Sequence, residues 1–318
     1  MKLERSSTPS AKAGMRRYLG GLIGYGLLAS GLTSRAKRNA FTGAYVTPVY
    51  FHNPSKKNFR DCINWLKENS YVFLSTDQLV CMLRGQMAIP RGAVWISFDD
   101  GWKENIDNAI PTILENDIPV TFFIATDPVE RSGVFWWSIV QKYAKHLPPP
   151  YYNDPKQLWK IKEEERIRVI RELEQRFLKE CVREAMTIED IVYMSSIPQI
   201  TIGCHTVHHV ITPNCTESEL EFEIRQSKSS LEEWTGKPVK FFSYPNGDFD
   251  GREKSVLKKY GFELSITTEK RFVSANDDSY LVPRFSVPDN ALFPEALCRM
   301  LGVFNPIITI GRILGMAP

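Results

Sequence analysis

Two adjacent carboxylates, Asp99 and Asp100, directly follow the apolar run of residues 93–98. Neighbouring carboxylates are costly to keep ionised together unless a cation or a proton separates their roles. A metal ion that takes one carboxylate as its ligand leaves the other free to act as a base. The pair is therefore a candidate catalytic site, and a solvated Asp-Asp-Gly turn is the alternative interpretation.

A second segment, residues 203–209, contains three of the five histidines of the chain. Imidazole is the commonest protein ligand of zinc, and a catalytic zinc keeps three protein ligands and one open position. His205 and His209 are four residues apart and can reach one ion if the segment turns helically after a strand. His208 would then point elsewhere, so we predict that it packs or supports a ligand.

The elements around these segments explain why they should meet. Apolar runs at 46–51, 71–74, 93–98, 119–125, 200–203, 239–243 and 262–266 alternate with helical stretches. This alternation predicts an α/β fold, a mainly parallel sheet with enough strands for a barrel of about seven. The carboxyl ends of parallel strands meet at one edge, where ligands bind. We assign residues 41–318 to this barrel and predict that residues 131–195, which break the rhythm, form a helical insertion.

Charge is spread unevenly along the 318 residues, whose formal net charge is +3. Residues 1–40 hold eight basic residues and one acidic residue, whereas the rest of the chain carries a net charge of −4. The total charge is too small to indicate nucleic-acid binding. The sequence contains neither a G-x-G-x-x-G motif nor a P-loop, so nothing in it indicates nucleotide binding. We therefore treat residues 1–40 as a basic N-terminal extension.

Within this extension, residues 19–32 are weakly apolar and lie between basic clusters. They are too short to cross a bilayer, which takes about 20 residues. A helix on the membrane surface fits the flanking positive charge, and a helix packed on the barrel fits equally well. A cleaved signal is the third alternative. Six scattered cysteines favour a reducing compartment, so we expect a cytoplasmic or membrane-associated protein, with export as the alternative.

Three motifs together resemble one family. Residues 97–102 (S-F-D-D-G-W), 205–209 (H-T-x-x-H) and 242–247 (F-S-Y-P-N-G) are similar to the signature of the polysaccharide deacetylases, the NodB-homology carbohydrate esterases of family four. The similarity extends over roughly residues 45–300. It implies a distorted (β/α) barrel that hydrolyses N-acetyl groups on N-acetylhexosamine units of a polysaccharide or lipid-linked glycan and releases acetate.

The resemblance also implies a role for each matching residue. Asp100, His205 and His209 would bind a divalent metal, for which this donor set suits Zn²⁺. Asp99 would be the general base, and the backbone N–H of Tyr244 would stabilise the oxyanion. The residues expected to contact the substrate are Trp102, Pro245 and Asn246.

The chain departs from the family pattern at two positions. Many relatives supply the general acid from a C-terminal histidine, but no histidine follows His209. His52 ends the first predicted strand, as in a circularly permuted branch of the family, and we predict it as the acid in preference to His146. The usual arginine of the third motif is also missing; we expect Arg284 to take its place beside Asp99, with a surface ion pair as the alternative.

Two other functions are compatible with the sequence. One is a related metal-dependent hydrolase acting on a non-sugar amide or imide. The other is a catalytically silent protein that binds glycans or assists assembly at a membrane. The paired aspartates and the two spaced histidines favour an enzyme, because a binding protein has no need of them.

Overall fold

The computed structural model describes residues 11–304, and their eight strands form one parallel sheet. The spatial order is β7-β6-β5-β4-β3-β1-β8, and β2 pairs with the first half of β3. A parallel bridge between Ile266 and Val282 brings the two ends of the sheet together. The predicted distorted (β/α) barrel is confirmed. The strands are β1 (Thr47–Phe51), β2 (Val72–Leu74), β3 (Ala93–Phe98), β4 (Val120–Ile124), β5 (Ile200–Cys204), β6 (Phe241–Ser243), β7 (Leu264–Ile266) and β8 (Phe285–Ser286).

Helices connect the strands and cover the sheet. The connections put a helix between most successive parallel strands, as parallel pairing requires. The α-helices are α1 (Ala11–Ala29), α2 (Leu32–Thr42), α3 (Lys56–Glu68), α4 (Thr76–Leu83), α5 (Asn105–Asn108), α6 (Ile110–Asn116), α7 (Trp136–Lys142), α8 (Glu163–Phe177), α9 (Ile188–Ser196), α10 (Glu217–Thr235), α11 (Glu253–Lys259) and α12 (Phe293–Met300).

The central strands are buried along their whole length. Every residue of β1, β3 and β4 is buried, which is why these segments are apolar runs rather than alternating patterns. Aromatic rings fill the space beneath the end of β3, with the Phe98 ring centroid 4.6 Å from that of Phe122 and 5.2 Å from that of Phe59. This packing gives the two aspartates after Phe98 a rigid base.

Two helices precede the barrel. Gly31, with a φ of 76°, separates α1 from α2. A single helix was expected over residues 19–32, but two helices cover residues 11–29 and 32–42 instead. The expected boundary at residue 40 lies inside α2, which continues to Thr42 with Gly43 as its C-cap. Ala40 itself is buried. None of the helices described between residues 11 and 304 is long and apolar enough to span a bilayer.

The chain between β4 and β5 is mostly helical and includes α7, α8 and α9. A helix was expected from 163 to about 184, but α8 ends at Phe177 and a short 3₁₀ turn follows. Residues 184–186 instead pair with the segment after the two aspartates: Lys103 donates to the Glu184 carbonyl and Met186 to the Gly101 carbonyl, at 2.8 and 2.9 Å. This pairing holds the helical segment against the barrel edge.

Candidate active site

The carboxyl ends of the strands converge on one cavity of about 1200 Å³. Asp99 and Asp100 follow β3, His205 follows β5, and His52 follows β1. All four line this cavity together with His209. The topology therefore assembles residues that lie more than 150 positions apart in the sequence.

Asp100, His205 and His209 form a compact cluster of metal-ligand atoms. One ligand atom of each lies within 4.8 Å of the other two, and all three side chains are buried. Asp100 Oδ1 is 3.5 Å from His205 Nε2 and 3.4 Å from His209 Nε2. Asp100 and His209 both have left-handed backbones, with φ of 77° and 50°. Such strained conformations in non-glycine residues concentrate at functional sites.

Neighbouring groups aim the ligand atoms at a common point. His205 Nδ1 lies 2.7 Å from the carbonyl oxygen of Ser243. Because a carbonyl only accepts, Nδ1 carries the proton and Nε2 keeps its lone pair. The indole N–H of Trp102 donates to Asp100 Oδ2 at 2.9 Å, and Oδ1 is buried without a hydrogen-bond partner among the described residues. Two imidazoles and one carboxylate with an unsatisfied oxygen fit a divalent metal such as zinc.

The electrostatics of these ligands agree with metal binding. Burial lowers the pKa of His209 and so favours the neutral ring that a metal requires. Burial alone would raise the pKa of Asp100, but the two imidazoles beside it outweigh that effect and hold the pKa well below its usual range. The site therefore presents an anionic carboxylate at Asp100 and favours a neutral ring at His209.

Asp99 is held by a buried guanidinium. Arg284 Nη1 donates to Asp99 Oδ1 at 2.8 Å and Nη2 donates to Oδ2 at 2.7 Å, a bidentate pair. Arg284 also donates to the hydroxyls of Ser97 and Ser243 at 3.0 and 2.9 Å. Burial raises the pKa of Asp99, but the charge and hydrogen bonds of Arg284, together with the nearby imidazoles of His205 and His52, outweigh it and lower the pKa overall. Arg284 is 0% exposed, so the alternative of a surface ion pair does not apply.

His52 lies at the rim of the same cavity, half-buried, with its ring 5.3 Å from that of Tyr50. Asp289 lines the cavity as well and accepts a hydrogen bond from the backbone N–H of Asn53 at 2.8 Å. Sequence analysis missed Asp289, because a Pro-Asp-Asn stretch far along the chain looks like an ordinary turn. By contrast, His146 is exposed and packs against Phe177.

Two residues of the third motif lie in surroundings that do not favour their expected roles. The backbone N–H of Tyr244 donates to the carbonyl of Ile266 at 3.0 Å, so sheet pairing occupies the amide that was expected to bind the oxyanion. Pro245 is buried and is not among the cavity-lining residues, so its expected contact with a substrate stays a prediction. Asn246 does line the cavity, in a left-handed conformation with φ of 57°.

Aromatic side chains from the helical segment 131–195 form one wall of the cavity. Trp136 and Trp137 line it together with Trp159, which sequence analysis did not single out. The Trp137 ring centroid is 4.5 Å from that of His209, and Trp136 lies 4.6 Å from Trp159. Trp102, expected to contact the substrate, lines the cavity and also orients Asp100.

His208 points away from the cluster, as expected for a supporting residue. Its Nδ1 lies 2.6 Å from Glu223 Oε1 on α10. The other oxygen of Glu223 accepts the backbone N–H groups of Val207 and His208 at 2.9 and 3.0 Å. Glu223 thereby fixes the loop that carries both histidine ligands.

Comparisons with known proteins agree with this architecture. Poly-beta-1,6-N-acetyl-D-glucosamine N-deacetylase of Staphylococcus aureus is 22% identical over 258 residues, covering 76% of this chain and 73% of the relative. The Streptococcus pyogenes deacetylase PplD, solved in complex with acetate, is 15% identical with a TM-score of 0.59, covering 81% of this chain and 98% of that one. IcaB from Ammonifex degensii is 18% identical with a TM-score of 0.58 over the same shares.

A family model described as polysaccharide deacetylase matches residues 87–265, more than half of the chain. The matched region runs from before β3 to β7 and therefore includes both aspartates and the three histidines of 205–209. The chain belongs to the polysaccharide deacetylase family, whose members are hydrolases that act on the N-acetyl groups of polysaccharides.

Proposed function

We propose that this protein removes N-acetyl groups from N-acetylhexosamine units of a polysaccharide in a reaction that needs a divalent metal, Zn²⁺ above others. The observation that carries the proposal is that Asp99, paired with the buried Arg284, lines the same cavity as the cluster of Asp100, His205 and His209. An ionised base next to a three-donor metal site is the arrangement that amide hydrolysis by water requires.

Five residues that line the cavity have a part in the proposed reaction. A divalent ion held by Asp100, His205 and His209 would supply Lewis acidity toward the acetamide carbonyl. Asp99 accepts the proton of the attacking water, since Arg284 keeps its carboxylate ionised. His52 donates a proton to the sugar nitrogen as the C–N bond breaks, and acetate and a free amine leave.

The shape of the cavity supports the proposed substrate class. Its volume of about 1200 Å³ exceeds the range of roughly 300–1,000 Å³ that is typical of small-ligand pockets, so there is room for more than one sugar unit. The indoles of Trp137 and Trp159 offer flat apolar faces to sugar rings. The relatives named as deacetylases of poly-β-1,6-N-acetyl-D-glucosamine support such a polymer as the substrate.

The test is acetate release from N-acetylglucosamine oligomers. Asp99→Asn should lower kcat by about 10²–10⁴-fold, the usual contribution of a general base, while zinc bound per chain stays at the wild-type level. Asp107→Asn, at an exposed position of α5, is the matched control and should keep full activity. Full acetate release by Asp99→Asn, or a wild-type protein that releases none, would overturn the proposal.

A further inference from the structure

We propose that the exposed face of α1 docks on an anionic lipid bilayer. This face, called the α1 face, consists of Met15, Tyr18, Leu19, Leu22 and Tyr25. The inference concerns where the protein binds and does not depend on the deacetylation reaction.

The helix packs on the barrel through its small residues. Gly20, Gly21 and Gly24 are buried against the start of α12. A Cβ atom at Gly24 would lie 2.6 Å from the backbone nitrogen of Glu295, and one at Gly21 would lie 2.5 Å from Leu292 Cδ1. At Gly24 the near atoms are backbone, so only glycine permits this approach, and the part of the helix that meets the start of α12 presents glycines to it.

Five large apolar side chains lie on the side of α1 opposite these glycines. The five residues of the α1 face are 51–69% exposed. Their spacing, at positions 15, 18, 19, 22 and 25, places them on one side of a helix. An amphipathic helix on a globular protein normally buries such a face, and a contiguous apolar patch that stays exposed indicates an interaction surface.

Exposed positive charges on α1 and α2 favour one occupant of this face. Arg16 and Arg17 of α1, and Arg35 and Arg38 of α2, are exposed. Within the described part of the chain, none of the four guanidinium groups has an ion-pair partner. Anionic lipid headgroups complement these charges, whereas a second copy of the chain would bring its own arginines against them.

The packed side of α1 lies close to a segment that contributes to the cavity. Leu292, against which Gly21 packs, follows the cavity residue Asp289 by three positions. Three residues of chain span at most about 11 Å. Helix α1 therefore packs next to the segment that contributes Asp289 to the cavity.

The experiment is co-sedimentation of the full chain with vesicles. We expect binding to vesicles of phosphatidylcholine and phosphatidylglycerol, with at least tenfold weaker binding to phosphatidylcholine alone and weaker binding as salt is raised. Leu22→Asp with Tyr25→Asp should lower the partition coefficient at least tenfold, and Arg16→Gln with Arg17→Gln should lower it for anionic vesicles only. Val182→Asp, at an apolar residue that is 67% exposed elsewhere, is the matched control and should bind like wild type.

Several results would overturn this inference. They are failure of the wild type to bind anionic vesicles, equal binding to neutral vesicles, or a wild-type dimer in light scattering that Leu22→Asp converts to a monomer. Acetate release from soluble oligomers should be unchanged in the α1 variants, so this assay separates failure of membrane docking from failure of the proposed deacetylation.

Discussion

Arg284 controls the protonation of the proposed base, because both carboxylate oxygens of Asp99 accept from its guanidinium in a buried site. The pKa of Asp99 is lowered by this charge, so Asp99 stays ionised to lower pH than a buried carboxyl otherwise would. Replacing the charge should raise the pKa of Asp99. Activity would then be lost at a higher pH as the solution is acidified.

We therefore expect Arg284→Gln to move the acidic limb of the kcat/KM profile upward by about 1–3 pH units. Arg284→Lys should restore part of the shift, because it returns a positive charge without the bidentate geometry. Arg84→Gln, at a half-exposed surface ion pair, should leave the profile unchanged. An acidic limb that does not move in Arg284→Gln would contradict this role.

His52 is the proposed proton donor to the leaving nitrogen, since it lines the cavity after β1, which lies three strands from the β5 that precedes His205. His52→Ala should lower kcat by about 10²–10⁴-fold with little change in zinc content or melting temperature. His146→Ala is the matched control, because His146 is exposed and lies outside the cavity. Equal losses in both variants, or none in His52→Ala, would reject the assignment.

Side-chain chemistry at this scale was predictable, but backbone pairing was not. Arg284 was expected only as a replacement for the arginine of the family pattern, whereas His52 could be placed from its position at the end of a predicted strand, because a parallel sheet brings those ends to one edge. The amide of Tyr244 could not, since its bond to Ile266 depends on the register of β6 against β7. No local motif encodes that register, and the same holds for the approach of Asp289 to Asn53.

At the level of elements, α8 holds the loop that carries a proposed metal ligand. Arg166 of α8 is fully buried, forms an ion pair with Glu163 and donates to the carbonyl of His209 at 3.3 Å. Glu163 Oε1 accepts the N–H of Ile211 at 3.0 Å. The guanidinium lies 4.3 Å above the ring of Trp136, whose indole also reaches the His209 carbonyl. These contacts therefore connect α8 to the loop that carries His209.

Arg166→Met should lower the free energy of unfolding by about 3–5 kcal/mol, because it leaves Glu163 buried without its partner. It should also weaken zinc binding by roughly 10–100-fold, as expected when support for a ligand is lost. Glu163→Gln combined with Arg166→Met should recover part of the stability, since no unpaired charge then remains. Arg171→Met, exposed on the same helix, is the control; wild-type zinc affinity in Arg166→Met would refute the coupling.

Element boundaries were least predictable where tertiary pairing competes with local preference. The charged stretch up to residue 184 is compatible with a continuing helix, yet residues 184–186 join the backbone of the loop after Asp100. The two-residue strand β8 carries too little pattern to be recognised, although its pairing with β1 positions Arg284. The long strands β1, β3 and β4 were recognisable because every residue in them is buried.

For the whole molecule, the proposed metal site links distant parts of the barrel. Asp100 follows β3 and His205 follows β5, with β4 between them in the sheet. The backbone carbonyl of His209 accepts a hydrogen bond from Arg166 of α8. These atoms are brought within 4.8 Å of one another only when the sheet has formed, so the unfolded chain offers no equivalent site. A metal that binds the folded state alone must stabilise it by mass action.

We therefore expect zinc to raise the melting temperature of the apo-protein with a dependence on concentration. At free zinc 100-fold above the dissociation constant the gain is about 2.7 kcal/mol, which corresponds to an increase of several degrees in a protein of this size. Asp100→Asn should lose most of this increase, because the anionic donor is gone, whereas Asp99→Asn should retain it, because Asp99 binds Arg284 and not the metal. Calorimetry with and without a chelator measures the difference. If zinc shifted the melting temperature of Asp100→Asn as far as that of the wild type, the ion would be bound elsewhere, and the division of labour between the two aspartates would fail.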